Sequence, residues 1–581
     1  MRARTIVGSS LALLTLAFAV SLPVNTERAG ASTSAPSGRV RFGAAPGASI
    51  LVYGTYPRMK SRCVRPLQPV LRARYSGTLE VGRDPSGKLF VIGVVPFEDY
   101  LRGIGEVPRL WPMEALKAQV VAARSYALAH LGHPGTLGEE LGYQLCATDA
   151  CQVYLGLGIS NGPYGDRWRR AVHATAGRVL LYGGRPADTL YSSTSNGHTI
   201  GNDKVFGSAP LPYLRPVPEL DDGASPLSHW RVSMPFGDLA RFLRAASDWG
   251  HRSISSVALS GGTVVVRGGG TSKSLPIADL RSDLNSWAHC LAPDRYPTVD
   301  TDGRLPQTVP STWFTLSTAG RSIVLHGRGW GHGVGMVQWG AYGKAKRGLS
   351  YRQILSYYYG GLRPQRFQEP GEIRVGIAVG LKTLVLEPSG PVTVQGGPAP
   401  AGPWLLTSGA GTLRVRSGRP VQPKISAGAL VRAPARARAG KPIRATVSLP
   451  QLSVVHLALQ TDSGEVALTP DRTYGPGSPR LKGRLPLLAS GTYGLVAVVT
   501  NGIDIVRTPA RRLVVTGSAA SPSATPSPGS PSLIPSPSPS APGSGTGWET
   551  AAGVAVVVLL VFVVLLLAAR GAGRHRRGRK L

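Results

Sequence analysis

Cysteine is nearly absent. Four in 581 residues exclude a disulfide-built scaffold and leave room for one or two bridges. Acidic residues are scarce too, 31 against 65 lysines and arginines, for a formal charge of +34. Lysine supplies only 12 of those cations. That bias, with abundant Arg, Ala, Gly and Pro, points to a GC-rich bacterial genome of the actinobacterial kind. Gly (74) and Pro (49) make up about 21% of the chain, above the usual ~12%. Hydrophobic residues still reach 42%, so wholesale disorder is excluded, and the length suits two to four domains.

The two ends fix a compartment. Arg2 and Arg4 precede an apolar run from Ile6 to Val20, and Ala29-Gly30-Ala31 offers a cleavage site. Residues 1–31 therefore read as a secretory signal peptide, the other reading being an uncleaved N-terminal anchor. Residues 551–569 carry no charge and as a helix would span roughly 28 Å, one hydrocarbon core. The basic tail 570–581 follows and reads as cytoplasmic. The expectation is a single-pass membrane protein with the bulk of its chain outside the cell, held by a C-terminal transmembrane helix. About +26 stays on the exported part once the two leader and six tail cations are removed. Such a surface suits an acidic cell wall, and codon bias with solubility accounts for it as well. No nucleic-acid-binding motif is present, so nucleic acid is not an expected partner.

Between the ends the composition shifts several times. Residues 518–547 are a Ser/Pro linker that cannot bury a core and that extended would reach roughly 90 Å. Residues 371–425 form a small β segment. Residues 430–516 alternate short strands with turns and resemble an all-β immunoglobulin-like accessory domain, read as a spacer without chemistry. The segments SILVYG, GTLEVG and KLFVIGVV also alternate as strands. From Pro112 the period changes: Leu116, Val120, Ala123, Ala127 and Leu131 make one helical stripe, stopped by Gly132 and Pro134. SYRQILSYYY is a second helix, with Ser350 and Gln353 as a capping box. Helices amid strands give an α+β core over 40–365.

Three segments are dense in chemistry-bearing residues: DYLRGIGEVPRLWPMEALKAQVVAARSYAL (99–128); CQVYLG (151–156), followed by LYSSTSNGHT (190–199); and GRGWGHGVGMVQWGAYGKAKRGLSYRQILSYYYGG (327–361). In order and spacing they resemble the SpoIID/LytB family, over about residues 90–365. The resemblance implies a SpoIID-like mixed core. It also implies either a lytic transglycosylase acting on peptidoglycan glycan strands or a non-catalytic partner that recruits or stimulates a cell-wall amidase. No cofactor is implied.

The resemblance makes Glu106 the Glu of the P-S-E-M-P block, the proposed catalytic acid, although Ile104-Gly105 stand here for Pro-Ser. Val107, Pro108, Leu110 and Trp111 give it an apolar shell that raises a carboxyl pKa. The bland reading is a Glu favouring a nearby helix start. Glu98, Asp99, Glu114 and Asp149 lie near in sequence, none obviously a second catalytic group. Lytic cleavage has less need of one, because the muramyl 6-hydroxyl attacks its own anomeric carbon.

Arg124, off the main stripe, is a candidate for a cleft or a solvated face. Ser193, Ser195 and Asn196 supply hydroxyl and amide groups suited to sugars, or ordinary turn chemistry. In the glycine-rich block, which fits neither a dinucleotide nor a Walker A pattern, His332 and Gln338 match family positions for polar contacts. Trp330 and Trp339 either stack on sugars or fill the core. Some relatives bind zinc near the CQVY block, but no His lies between residues 134 and 172 here. Outside the cell Cys146 and Cys151 favour a disulfide, with zinc or free thiols as the other readings and no metal site expected. Cys63 and Cys290 are a second possible pair.

Overall fold

The computed structural model describes residues 33–35, 38–57, 70–296, 307–399, 402–409 and 411–517. The signal peptide, the Ser/Pro linker, the apolar span 551–569, the basic tail and Cys63 lie outside the described residues. Among the described residues no helix is long and apolar enough to cross a membrane.

The fold is a mixed α+β arrangement. The three alternating segments form strands Ile50–Thr55, Thr78–Arg83 and Leu89–Pro96. A seven-stranded sheet runs in the order 397–398, 392–394, 40–44, 78–83, 89–96, 372–381, 145–146. Its last pair is parallel, with Val375 beside Leu145. A six-stranded sheet runs 33–35, 412–417, 404–409, 383–388, 50–55, 70–75. Phe42, Val52, Val81, Val91, Leu384 and Leu406, drawn from both sheets, share one apolar core.

The expected core boundary at residue 365 therefore does not hold. Strand Glu372–Leu381 pairs along Leu89–Pro96, and Ile373, Val375 and Leu381 are buried. Residues 371–425 complete the core sheets instead of forming a separate segment. Alternation marks such a strand, but its partner lies hundreds of residues away and is set by packing.

Helix Met113–His130 follows Pro112, as the pattern predicts. One stripe is too narrow a description of it: Ala115, Leu116 and every residue from Ala118 to Ala127 are buried. Leu116, Val120 and Ala123 face the sheet core, whereas Ala118, Val121 and Ala122 face a second cluster around Met336, Ile354 and Tyr358. The alanines let backbones approach this helix from several sides. Helix Tyr351–Tyr358 carries the predicted capping box between Ser350 and Gln353.

Two further units surround this core. Residues 230–327 build their own core from Trp230, Phe236, Leu243, Val264, Leu284 and Leu325, inserted between two of the motif blocks. Residues 429–516 form two packed β-sheets around Leu430, Ile443, Val455, Leu457, Leu495 and Leu513. This second unit is pinned to the main core. Arg72 Nη1 donates to Asp504 Oδ2 at 2.8 Å, and Arg74 Nε donates to the Ile503 carbonyl at 3.0 Å. The side chains of Arg72 and Asp504 are 8% and 3% exposed, so this is a buried ion pair. Losing one partner of such a pair costs about 3–5 kcal/mol.

Candidate functional site

The motif blocks are zipped to one another by backbone. The N–H of Gly105 donates to the Val153 carbonyl and the N–H of Leu155 to the Gly103 carbonyl, each at 2.8 Å. This lays the Glu106 loop along CQVYLG. Tyr191–Ser192 runs parallel to Met336–Val337. Thr194 and Trp330 exchange both backbone hydrogen bonds, at 3.1 and 3.0 Å. Two glycines permit the second junction. Gly329 (φ +75°) would place a Cβ 2.6 Å from the Ser195 carbonyl oxygen, and Gly335 (φ +71°) one 2.0 Å from that of Leu190. Both conformation and space exclude a side chain there.

Glu106 sits at this crossing, 9% exposed. Its Oε1 accepts the N–H of Val153 at 2.7 Å. Burial pushes its carboxyl up to about 7. The Val153 N–H, the Tyr191 hydroxyl and the Gln338 amide pull it down, and the charge of Asp149 pushes it up. A hydrogen-bond chain lies behind it: Tyr100 Oη donates to Gln152 Oε1 at 2.7 Å, and Gln152 Nε2 donates to Tyr191 Oη at 2.9 Å. Gln152 is fully buried, so its amide orientation fixes the Tyr191 hydroxyl proton toward Glu106. A carboxyl group held near neutrality within an oriented network is equipped to give a proton and take it back.

The other predicted residues divide. Gln338 is brought to the site: its Nε2 lies 3.4 Å from the Glu106 carbonyl and 3.4 Å from Gln119 Oε1. His332 is one step removed. Its Nδ1 accepts the Val334 N–H at 3.0 Å, which leaves the ring proton on Nε2, beside the Tyr191 carbonyl. Burial pushes this imidazole down to about 4, against the pull of that carbonyl and of Asp188. It is neutral at physiological pH and positions Tyr191.

Arg124 is corrected. It is fully buried, it pairs with Glu98 at 2.8 Å and with Glu369, and its Nη1 donates to the Thr175 carbonyl at 2.8 Å. Five positions from Gln119, it lies about 140° around the helix, away from Glu106. Ser195 is corrected as well: its N–H and hydroxyl both donate to Asp222 Oδ2, at 2.7 and 2.8 Å, so it holds the turn. Ser193 and Asn196 are half-buried in the same loop, with Ser193 Oγ 3.2 Å from Thr194 Oγ1. Trp339, half-buried, packs on Trp111 and Tyr342 at 4.8 and 5.3 Å between ring centroids, against the edge of the core. Cys146 and Cys151 are joined by a disulfide, with 5.5 Å between their Cα atoms. Among the described residues no group of three His, Cys, Asp or Glu side chains could hold a metal ion.

Sequence reasoning passed over Tyr191, Gln152, Tyr100 and Gln119. Gln152 and Tyr191 stand inside the CQVYLG and LYSSTSNGHT blocks, so buried polar residues within dense motifs were the signal. Gln119, 1% exposed, accepts from Gln338 through its Oε1 and keeps its buried Nε2 without a partner among the described residues. Asp149, on the disulfide turn, is a second carboxylate whose charge reaches Glu106.

Residues 85–182 match the family described as SpoIID: Stage II sporulation protein. An uncharacterized protein of Brachyspira hyodysenteriae is 32% identical over 282 residues, 47% of this chain and 68% of that one. The chain belongs to the SpoIID/LytB family. The amidase enhancer of Bacillus subtilis is 30% identical over 45% of this chain and 39% of its own length. Stage II sporulation protein D of the same species is 27% identical over 46% of this chain and 74% of its own. This SpoIID/LytB-family chain shares with both a stretch of about 280–300 residues. That length extends well beyond the segment 85–182.

Proposed function

We propose that the protein is a peptidoglycan lytic transglycosylase, exported and tethered through its C-terminal apolar span, that cleaves glycan strands to 1,6-anhydromuramyl ends. The observation that carries this reading is the buried Glu106 carboxyl, raised to about 7 and backed by the chain from Tyr100 through Gln152 to Tyr191. Protonated Glu106 gives its proton to the glycosidic oxygen as the bond to the muramyl C1 breaks. The carboxylate then takes the proton of the muramyl 6-hydroxyl as that oxygen bonds to C1. Atoms balance without water, and the attacking group is already part of the substrate. Gln338, 6% exposed, and the half-buried Ser193 and Asn196 are the polar groups suited to hold the sugar.

The alternative is a non-catalytic wall-binding protein that recruits or stimulates a cell-wall amidase. The similarity to a protein named amidase enhancer favours it. Residues 430–516 serve under either reading as an immunoglobulin-like accessory domain. Digestion of purified glycan strands followed by mass spectrometry separates the readings: anhydro ends mean lytic cleavage, reducing ends hydrolysis through a second carboxylate such as Asp149, and intact strands a binder.

A further inference from the structure

The β-unit at residues 429–516 carries a feature that the glycan site does not use. Its three-stranded sheet comprises Ala429–Arg432, Pro442–Ser448 and Arg480–Arg484, with 442–448 in the centre. Leu430, Ile443, Ala445 and Leu481 point inward and are buried. The alternate positions Arg444, Arg480, Lys482 and Arg484 are exposed on the other face, and a bulge after Leu430 brings the exposed Arg432 to the same face, opposite Thr446. The register sets Arg444 directly opposite Lys482, and one rung along it sets Arg432 and Arg480 on either side of Thr446. No acidic residue occurs in the three strands. Of the unit's four acids, Glu465, Asp471 and Asp504 pair elsewhere, with Arg507, His456 and Arg72, and Asp462 lies in the turn between Thr461 and Gly464 of the other sheet.

Like charges directly opposite one another in an antiparallel pair sit about 5 Å apart at Cβ and destabilise the sheet. A bound polyanion removes that repulsion. Along the edge strand, Arg480, Lys482 and Arg484 recur every second residue, about 6.6–6.8 Å apart. A phosphodiester chain built on a short polyol repeats its charge at a comparable interval. The three strands contain no aromatic residue, so the stacking platform of a single-stranded nucleic-acid binder is missing.

We propose that this sheet face binds a linear anionic polymer with phosphodiesters in its backbone, holding the protein in an acidic envelope layer. The site is separate from Glu106 and does not depend on glycan cleavage.

The test uses the full chain in detergent, with fluorescently labelled poly(glycerol phosphate) as the probe and anisotropy as the readout. Arg444→Glu/Arg480→Glu/Lys482→Glu is compared with Arg241→Glu/Arg244→Glu/Arg252→Glu, an equal change of net charge on exposed positions of the 230–327 unit. Thermal melts establish that both remain folded. If the sheet triple unfolds, Arg444→Gln/Lys482→Gln replaces it. The sheet variant should lose on the order of 10²-fold in affinity, and its slope of log affinity against log salt should fall by about 2–3. The control should lose under about threefold, because distant exposed charges are screened. Equal losses in the two triples, or none in the sheet variant, would overturn the proposal. So would a sheet variant that loses binding to phosphatidylglycerol vesicles while keeping the polymer.

Discussion

Val153 grips Glu106 from two sides: its N–H donates to the carboxylate at 2.7 Å, and its carbonyl accepts the N–H of Gly105, the residue before Glu106, at 2.8 Å. The acid is thus held by the neighbouring motif block through backbone groups that no side-chain substitution removes. Its environment is correspondingly fixed.

Burying Glu106 makes protein stability depend on pH with a definite sign. Its pKa is raised from 4.5 to about 7 on folding, so between those values the folded state binds more protons than the unfolded state. Stability must therefore fall as pH rises from about 4.5 to 7 and then level off, by up to about 3 kcal/mol. Glu106→Gln removes this dependence. Thermal melts should place the variant above the wild type at pH 8 and bring the two together near pH 4. A wild type favoured at pH 8 would mean that the carboxylate is stabilised in the fold.

Tyr191→Phe should shift the pH profile upward. The Tyr191 hydroxyl pulls the Glu106 pKa down, so its loss moves the alkaline limb of glycan cleavage to higher pH, by up to about one unit. Gln152 Nε2 also loses an acceptor, at a stability cost of about 1 kcal/mol. A limb that stays put, or moves down, would show that the hydroxyl does not act on Glu106.

Ending the chain at residue 370 should prevent folding. Strand Glu372–Leu381 separates Leu89–Pro96 from Leu145–Cys146 in the sheet, and its loss uncovers Val91, Val95 and Tyr143 on both sides. Near-ultraviolet circular dichroism of the shortened chain should lack fixed aromatic signals. A native-like spectrum would mean that the strand is an accessory.

The chain should be digestible from outside. Protease added to wall-stripped cells should remove nearly all of residues 40–516. Protection of that region in wall-stripped cells with intact membranes would rule out an exported protein.

Much of the local structure was legible in the sequence, because its causes are local. The helix after Pro112, the Ser350–Gln353 capping box and the strands 50–55, 78–83 and 89–96 each follow from spacing within a dozen residues. What joins Leu89–Pro96 to Glu372–Leu381 was not legible, since pairing across that separation is settled by packing. The 230–327 unit was missed as a unit for the same reason: its strands and helices read as more of one α+β core. Within the site, Glu106 and Gln338 stood out by their motif positions. Arg124 misled because a charged residue off an apolar stripe reads as facing a cleft or solvent, and only its partners Glu98, Glu369 and Thr175 reveal a buried anchor. The Tyr100–Gln152–Tyr191 chain was illegible because it unites three segments through side-chain hydrogen bonds.

The central claim is tested most directly by mass spectrometry of glycan strands digested with wild type, Glu106→Gln and Glu114→Gln. Glu114 is the appropriate control: it pairs with Lys117 at 2.7 Å and accepts the N–H of Tyr351 at 2.8 Å, which caps the helix 351–358, so its loss costs stability and not chemistry. Wild type should release anhydromuramyl ends, Glu106→Gln should lose roughly 10²–10⁴ in rate while still folding and binding glycan, and Glu114→Gln should stay close to wild type. Wild-type cleavage by Glu106→Gln, or strands left intact by the wild-type protein, would contradict the account.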